Sequence, residues 1–297
     1  LDRTVFVYYE SIDSVPRVTL YYILQAQLSR TAVLKSKMAN GYFNAFGDPT
    51  DFGPDDIVSG FTCSNGVVYE TRRVIEPNVF TTVPGRLFFD KDYSTMLFAF
   101  NQANMLSTIS NPESDVTVFA CTNAQLEEYG IRYDETSDAI EFRGPVDGNW
   151  KAMKNTDLVM FAQDQIFEGI LDMQGESAYA EVASGNFIQY GGNQVYGPEN
   201  QVYERPANVV EIEENEQNGL LVLTDKPVQS RLVMGQVLTC NPTDETCPLT
   251  DPDMSDFADI LIEYRLLDNR FKDPVTKESI PRLKFLAGAD YWTAFIP

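Results

Sequence analysis

Apolar residues recur along this chain with two periods. Tyr93, Met96, Leu97 and Phe100 fall at i, i+3, i+4 and i+7, and so do Phe257, Ile260, Leu261 and Tyr264. That spacing predicts one buried face on each of two helices, so these methionine and aromatic positions read as core. Each helix leads into a strand-like run, residues 116–121 (VTVFAC) and 291–296 (YWTAFI), and a third such strand, residues 4–7 (TVFV), stands near the start. Asn65-Gly66 and Asn218-Gly219 predict tight hairpins, because both residue types tolerate positive φ. The strand after the first pair, residues 67–75, stops before Pro77, and the strand after the second, residues 220–224, stops before Pro227. Residues 76–85 and 241–252, rich in proline and polar groups, read as linkers.

The pattern also repeats. Residues 38–47 (MANGYFNAFG) reappear as 182–191 (VASGNFIQYG), and residues 64–68 (SNGVV) as 217–221 (QNGLL), in the same order. The repeating unit runs helix, Thr-x-Phe strand, variable middle, helix, glycine-containing strand pair, Asn-Gly hairpin. Strands and helices in this order predict an α+β fold with an antiparallel sheet in each unit.

Charge narrows the partners. The 297 residues carry 44 acidic against 22 basic side chains and no histidine, a formal net charge of −22. A surface of that sign repels phosphate backbones and anionic membranes. The absence of histidine excludes Ser-His-Asp and Cys-His catalysis and every imidazole zinc site. Glycoside hydrolysis by a carboxylate pair survives, but among 44 acids some pair always lies within reach. No nucleophile elbow, P-loop or dinucleotide glycine motif is present, and no catalytic residue, cofactor or metal site is assigned. The acidic runs at 211–216 and 251–256 read as a solvated hairpin tip and a helix start.

Cys240 and Cys247 bracket a polar, proline-containing loop and are the candidate disulfide, which would place the chain in an oxidising compartment. Closing so short a loop stabilises by about 2.5 kcal/mol on chain-entropy grounds. Cys63 and Cys121 sit in apolar runs and read as buried free thiols. No asparagine begins a glycosylation sequon, which fits a bacterial source if the protein is exported.

Residues 117–126 (TVFACTNAQL) resemble the first conserved box of fasciclin-like domains, approximately TVFAPTNEAF, and residues 64–77 (SNGVVYETRRVIEP) resemble the second, approximately NGVVHVIDRVLLP. Residues 291–297 look like the first box again, and residues 4–12 keep only its start. The resemblance implies tandem fasciclin-like domains, each a wedge of antiparallel β-sheet with packed helices. It divides the chain into an incomplete domain at 1–85, a complete one at 86–239, a linker at 240–252 and the opening of a further domain at 253–297. Two arrangements stay open: a piece of a longer tandem array, or a permuted domain in which residues 253–297 pack against residues 1–85. The chain departs from the family where the second box's usual histidine is Tyr69 in one unit and Val222 in the next, and where Cys121 replaces a proline. The family's Tyr-His receptor-binding pair has no counterpart here.

What the resemblance implies is a non-enzymatic protein at the cell surface or outside the cell, serving adhesion or surface assembly by binding other proteins. The alternative is a glycan-binding accessory subunit of a bacterial outer-membrane uptake complex, with any lipid anchor lying outside this chain. Tyr190, Asn193, Tyr196 and Tyr203, in an amide-rich and glycine-punctuated stretch, form the candidate ligand surface; Tyr8-Tyr9 and Tyr21-Tyr22 are further aromatic pairs. The disulfide is checked by titrating thiols in denatured, unreduced protein: two are expected, and four would remove the bridge.

Overall fold

The computed structural model describes residues 15–50, 52–143, 148–197, 200, 205–215, 217–228, 255–268 and 282–283. The Thr-x-Phe runs at 4–7 and 291–296, the Cys240–Cys247 loop and Tyr203 lie outside the described residues.

Residues 78–228 form the main unit, an α+β arrangement around one seven-stranded sheet. Its strands are β5 (Val116–Ala120), β9 (Ile166–Glu168), β10 (Ala178–Glu181), β11 (Phe187–Gly191), β12 (Gln194–Tyr196), β13 (Ala207–Asn215) and β14 (Gly219–Thr224), in the spatial order β10-β11-β12-β13-β14-β5-β9. All neighbours are antiparallel except β14 and β5, which pair in parallel with Val222 opposite Phe119. The sheet is therefore mixed, where an antiparallel one was expected. A parallel pair needs a long crossover, and here that crossover is most of the unit.

Its position makes β5 the centre of the core. All five residues are buried, and their side chains alternate between two cores. Val116, Val118 and Ala120 join Leu221 and Leu223 in a cluster on the helical side, while Phe119 and Val222 join a second cluster on the opposite face with Met173, Ile188, Val195 and Val228. The helical side is built by α2 (Asn78–Thr81), α3 (Gly85–Phe89), α4 (Ser94–Gln102), α5 (Leu106–Ile109) and α7 (Asn155–Asp164). In α4 the expected face is the buried one: Met96, Leu97 and Phe100 are all enclosed, with Tyr93 just before the helix. The first fasciclin-like box turns from β5 into α6 (Asn123–Glu128), where Thr122 and Gln125 form a reciprocal capping box. Strands β6 (Ile131–Asp134), β7 (Ala139–Arg143) and β8 (Trp150–Ala152) make a separate meander in the variable middle.

Residues 76–85 are not a free linker. Val79 and Val83 are buried in the helical core, and the Val83 N–H donates to the side chain of Asn218 at 2.8 Å. Asn218 also donates to the carbonyls of Ile109 (2.9 Å) and Asn111 (3.3 Å), and its own carbonyl accepts from Val116 N–H. The predicted hairpin forms, but its turn is three residues long between Asn215 and Gly219, and the positive φ belongs to Gly219 at 134°. A Cβ on Gly219 would stand 1.9 Å from the Val116 carbonyl oxygen, so close an approach that only glycine serves.

The amino-terminal unit, residues 15–77, is smaller. Helix α1 (Arg17–Ala26) precedes two short strands, β1 (Tyr42–Phe43) and β2 (Pro49–Thr50), and the hairpin β3 (Ile57–Cys63) with β4 (Gly66–Thr71). That hairpin turns through Ser64 and Asn65, with Gly66 already in the strand opposite Cys63 and without positive φ, so the turn sits one residue earlier than expected. Strand β4 ends at Thr71 rather than running to residue 75, as the Arg72 N–H bonds the Asp56 carbonyl instead. Beside the tip, Cys63 is exposed and free, not buried as expected, whereas Cys121 is buried. Burial pushes the Cys121 thiol up to about 12.

Helix α8 (Ser255–Glu263) opens at the expected place. Of its predicted apolar face Leu261 is buried, whereas Ile260 and Tyr264 are exposed.

Replacing Asn218 by Ala strands a buried N–H and at least one buried carbonyl, each costing about 1–3 kcal/mol. Asn218→Ala is therefore expected to lower the unfolding free energy by about 3 kcal/mol in urea titration, while Asn65→Ala, at an exposed tip, changes it by less than about 0.5 kcal/mol. Equal effects of the two substitutions would contradict this account.

Candidate functional site

The helical layer covers only one end of the sheet. It stops at β13, where Arg86 of α3 bridges to Glu211 at 3.1 Å and to Glu213. The acidic run 211–216 is thus partly neutralised by an arginine, more than a solvated hairpin tip, and Ile212 packs inward on the second core as the alternation required. Beyond β13 the same face of the sheet continues over β12, β11 and β10, with no helix over it among the described residues.

Strand register decides which side chains this face shows. Tyr179 stands opposite Gln189, and Gln189 opposite Tyr196, forming one row across β10, β11 and β12. Strand spacing sets the two tyrosine backbones about 10 Å apart with the glutamine between them. Phe187 pairs with Glu181 in the next row, and Gln194 pairs with Asn208 on the other side. Tyr179 is 66% exposed, Phe187 45%, and Val210 at the β13 bulge 65%. The intervening positions, Ala180, Ile188, Val195 and Ala207, fill the second core. The result is a row of aromatic rings and amides, exposed at Tyr179 and Phe187 and half-buried at Gln189, Gln194, Tyr196 and Asn208.

Of the three marked residues that are described, Tyr190, Asn193 and Tyr196, the fold sets Tyr196 on this face. Tyr190 stands opposite the buried Val195 and packs against the second core. Asn193 occupies the β11–β12 turn with φ 61°, its N–H bonded to the Met173 carbonyl and its carbonyl accepting from Val209 N–H. Its role in the turn is conformational. Tyr179, Phe187, Gln189, Gln194 and Asn208 were missed, although the alternation in residues 178–181 and 187–190 carries their signal. The Tyr21–Tyr22 pair is also used otherwise: Tyr22 stacks on Phe46 at 4.6 Å and meets Phe88 edge-on at 5.4 Å. Burial raises its phenol to about 12.

A polar relay fixes the orientation of the amides. Tyr196 donates its hydroxyl proton to the Gln194 side-chain oxygen (3.0 Å), Gln194 donates to Asn208 Oδ1 (3.0 Å), and Asn208 donates through Nδ2 and its backbone N–H to Asp225, both at 2.8 Å. Lys226 closes the line on Asp225 at 2.9 Å. The charged end determines every step: a carboxylate only accepts, so each amide must turn its NH2 toward it. The Tyr196 oxygen is left with lone pairs for an incoming donor. Burial works against the Asp225 charge, but the hydrogen bonds from Asn208 and Lys226 outweigh it and hold the carboxyl below its ordinary value.

Among the described residues no group of three or more Cys, Asp or Glu side chains is placed to hold a metal ion, and no helix is long and apolar enough to cross a membrane.

No protein-family model matches the chain, and no curated protein sequence does. Among solved structures, a FAS1 domain pair from the insect cell adhesion molecule fasciclin I is similar at 14% identity with a TM-score of 0.31, covering 59% of this chain. The likeness spans 59% of that structure's chain and is too slight to carry an argument.

Because the Asp225 carboxyl is depressed in the folded state, its contribution to stability is complete above the ordinary carboxylate range, near 4, and is lost as pH falls through its folded value. The difference in unfolding free energy between the wild type and Asp225→Asn is expected to be largest above about pH 5 and to shrink on acidification. A difference that grows toward low pH would reverse the assignment.

Proposed function

We propose that this chain is a fasciclin-like adhesion or surface-assembly protein, working outside the cell and binding another protein through the solvent face of β10–β13. The observation that carries this reading is the row of exposed Tyr179 and half-buried Gln189 and Tyr196, with exposed Phe187 beside it. Aromatic side chains supply contact area at little entropic cost, and they concentrate in the energetic centres of interfaces. The fasciclin-like assignment rests on the two sequence boxes and on the tandem organisation they imply. We set the boundary between the first two domains near residue 77 rather than 85, since Val79 and Val83 pack in the main unit. No step in this reading requires a catalytic group or a cofactor.

The same face favours a second reading, the glycan-binding accessory subunit of a bacterial outer-membrane uptake complex. Tyrosines whose backbones stand about 10 Å apart, flanking an amide, offer rings and hydrogen bonds together.

One experiment addresses both. Tyr179→Ala and Phe187→Ala change exposed side chains, so stability is expected to move by less than about 0.5 kcal/mol. Capture of surface proteins from native membranes by the immobilised chain is expected to fall about tenfold or more with either variant. Undiminished capture by both variants would exclude this face from protein binding. Retention of a soluble glycan by the wild type, lost in Tyr179→Ala, would select the second reading.

A further inference from the structure

Three arginines of this chain are held between a carboxylate and an aromatic ring. Arg132 of β6 pairs with Glu141 of β7 at 2.8 Å and lies over the Trp150 ring of β8 at 4.3 Å. Arg73 pairs with Asp56 at 2.9 Å and lies over Phe52 at 5.2 Å. Arg86 pairs with Glu211 at 3.1 Å and lies over Tyr93 at 5.4 Å. The physical cause is common to all three. A guanidinium is planar and weakly hydrated, so its edge donates to a carboxylate while its face rests on the negative face of a ring. On β6–β8 strand register alone builds the seat: Arg132 stands opposite Glu141, and Trp150 is the diagonal neighbour of Glu141 on the next strand.

The open end of the main sheet carries the carboxylate and the rings without the arginine. Glu181 of β10 stands directly opposite Phe187 of β11, and Tyr179 lies two residues back along β10 on the same face. Strand geometry sets the facing Cβ atoms about 5 Å apart and the next same-face position about 7 Å along. All three side chains are exposed. Among the described residues Glu181 pairs with no lysine or arginine. The side chains this face shows further along β11 and β12 are Gln189, Gln194 and Tyr196, none of them basic.

We infer that Tyr179, Glu181 and Phe187 form the docking point for an arginine side chain of a protein partner, its guanidinium donating to the Glu181 carboxylate and resting on a ring beside it. This rests on the reading of the β10–β13 face as a protein-binding surface and names the chemistry that the surface selects. Charge favours the same partner. The net charge of −22 attracts basic surfaces from a distance, and the rings strengthen the contact once an arginine arrives. Lysine fits less well, because a compact ammonium holds its water shell and offers no plane to stack.

The probe is a short peptide of alternating glycine and arginine, compared with a glycine–lysine peptide of equal length and charge, each titrated against the full chain. The arginine peptide is expected to bind about fivefold more tightly. Glu181→Gln and Tyr179→Ala are each expected to remove that preference. Glu168→Gln, which deletes the same charge from an exposed residue on β9 at the other edge of the sheet, is expected to keep it. Equal binding of the two peptides, or a preference that survives Glu181→Gln, would overturn the proposal. Membrane capture separates this outcome from failure of the broader reading. Capture lost in Tyr179→Ala and Phe187→Ala, but untouched by Glu181→Gln and by excess arginine peptide, keeps the protein-binding face and rejects the arginine. Capture undiminished in all three variants rejects the face itself and the docking point with it.

Discussion

The closure of the main unit depends on one buried amide. Asn218 has one carbonyl oxygen and two N–H donors on its side chain, and they bind the backbone at Val83, Ile109 and Asn111. Its own backbone carbonyl anchors the first residue of β5. The turn between α2 and α3, the end of α5 and the first residue of β5 thus converge on a single hairpin turn. A buried backbone group without a partner is costly, so the turn cannot move without exposing or orphaning several groups at once. Gly219 is the other half of the constraint, since any side chain there would displace β5 from β14.

From that joint the two cores follow. The parallel pair β14–β5 alternates its side chains between a helical face and a strand face, so Leu221 and Val222 belong to different clusters. The helices cover the sheet only as far as Arg86 reaches Glu211 and Glu213. Beyond that ion pair no helix among the described residues lies over the face, and the aromatic row on β10–β12 lies there. The candidate binding surface is therefore a consequence of where the helical layer ends.

Much of the fold was legible in the residues. The apolar face of α4 and the hairpins at both Asn-Gly pairs are local patterns that period and turn chemistry disclose. The segment 76–85 was misread because proline and polar residues mark a loop equally well when it lies on a core. The meander β6–β8, joined by Arg132 over Trp150 at 4.3 Å, left no local signature. Tyr196 lies on the proposed face and Tyr190 on the core side for one reason. Both sit in amide-rich strands, but a strand turns alternate residues to opposite faces, and which parity is outward depends on the neighbouring strands.

By itself the sequence determined the class of structure, α+β, and, having no histidine, excluded chemistry that needs an imidazole. These follow from composition and from periods of two and 3.6, which need no knowledge of distant neighbours. Only the tertiary structure decided that Asn218 is a clamp while Asn65 is an exposed tip, although both precede glycine in a hairpin. It also decided that Tyr179 and Tyr196 share a face from which Tyr190 is excluded. The physical reason is the same in each case. Burial and hydrogen-bond partners are properties of contacts between residues far apart in the chain, and two identical dipeptides differ by what has packed around them.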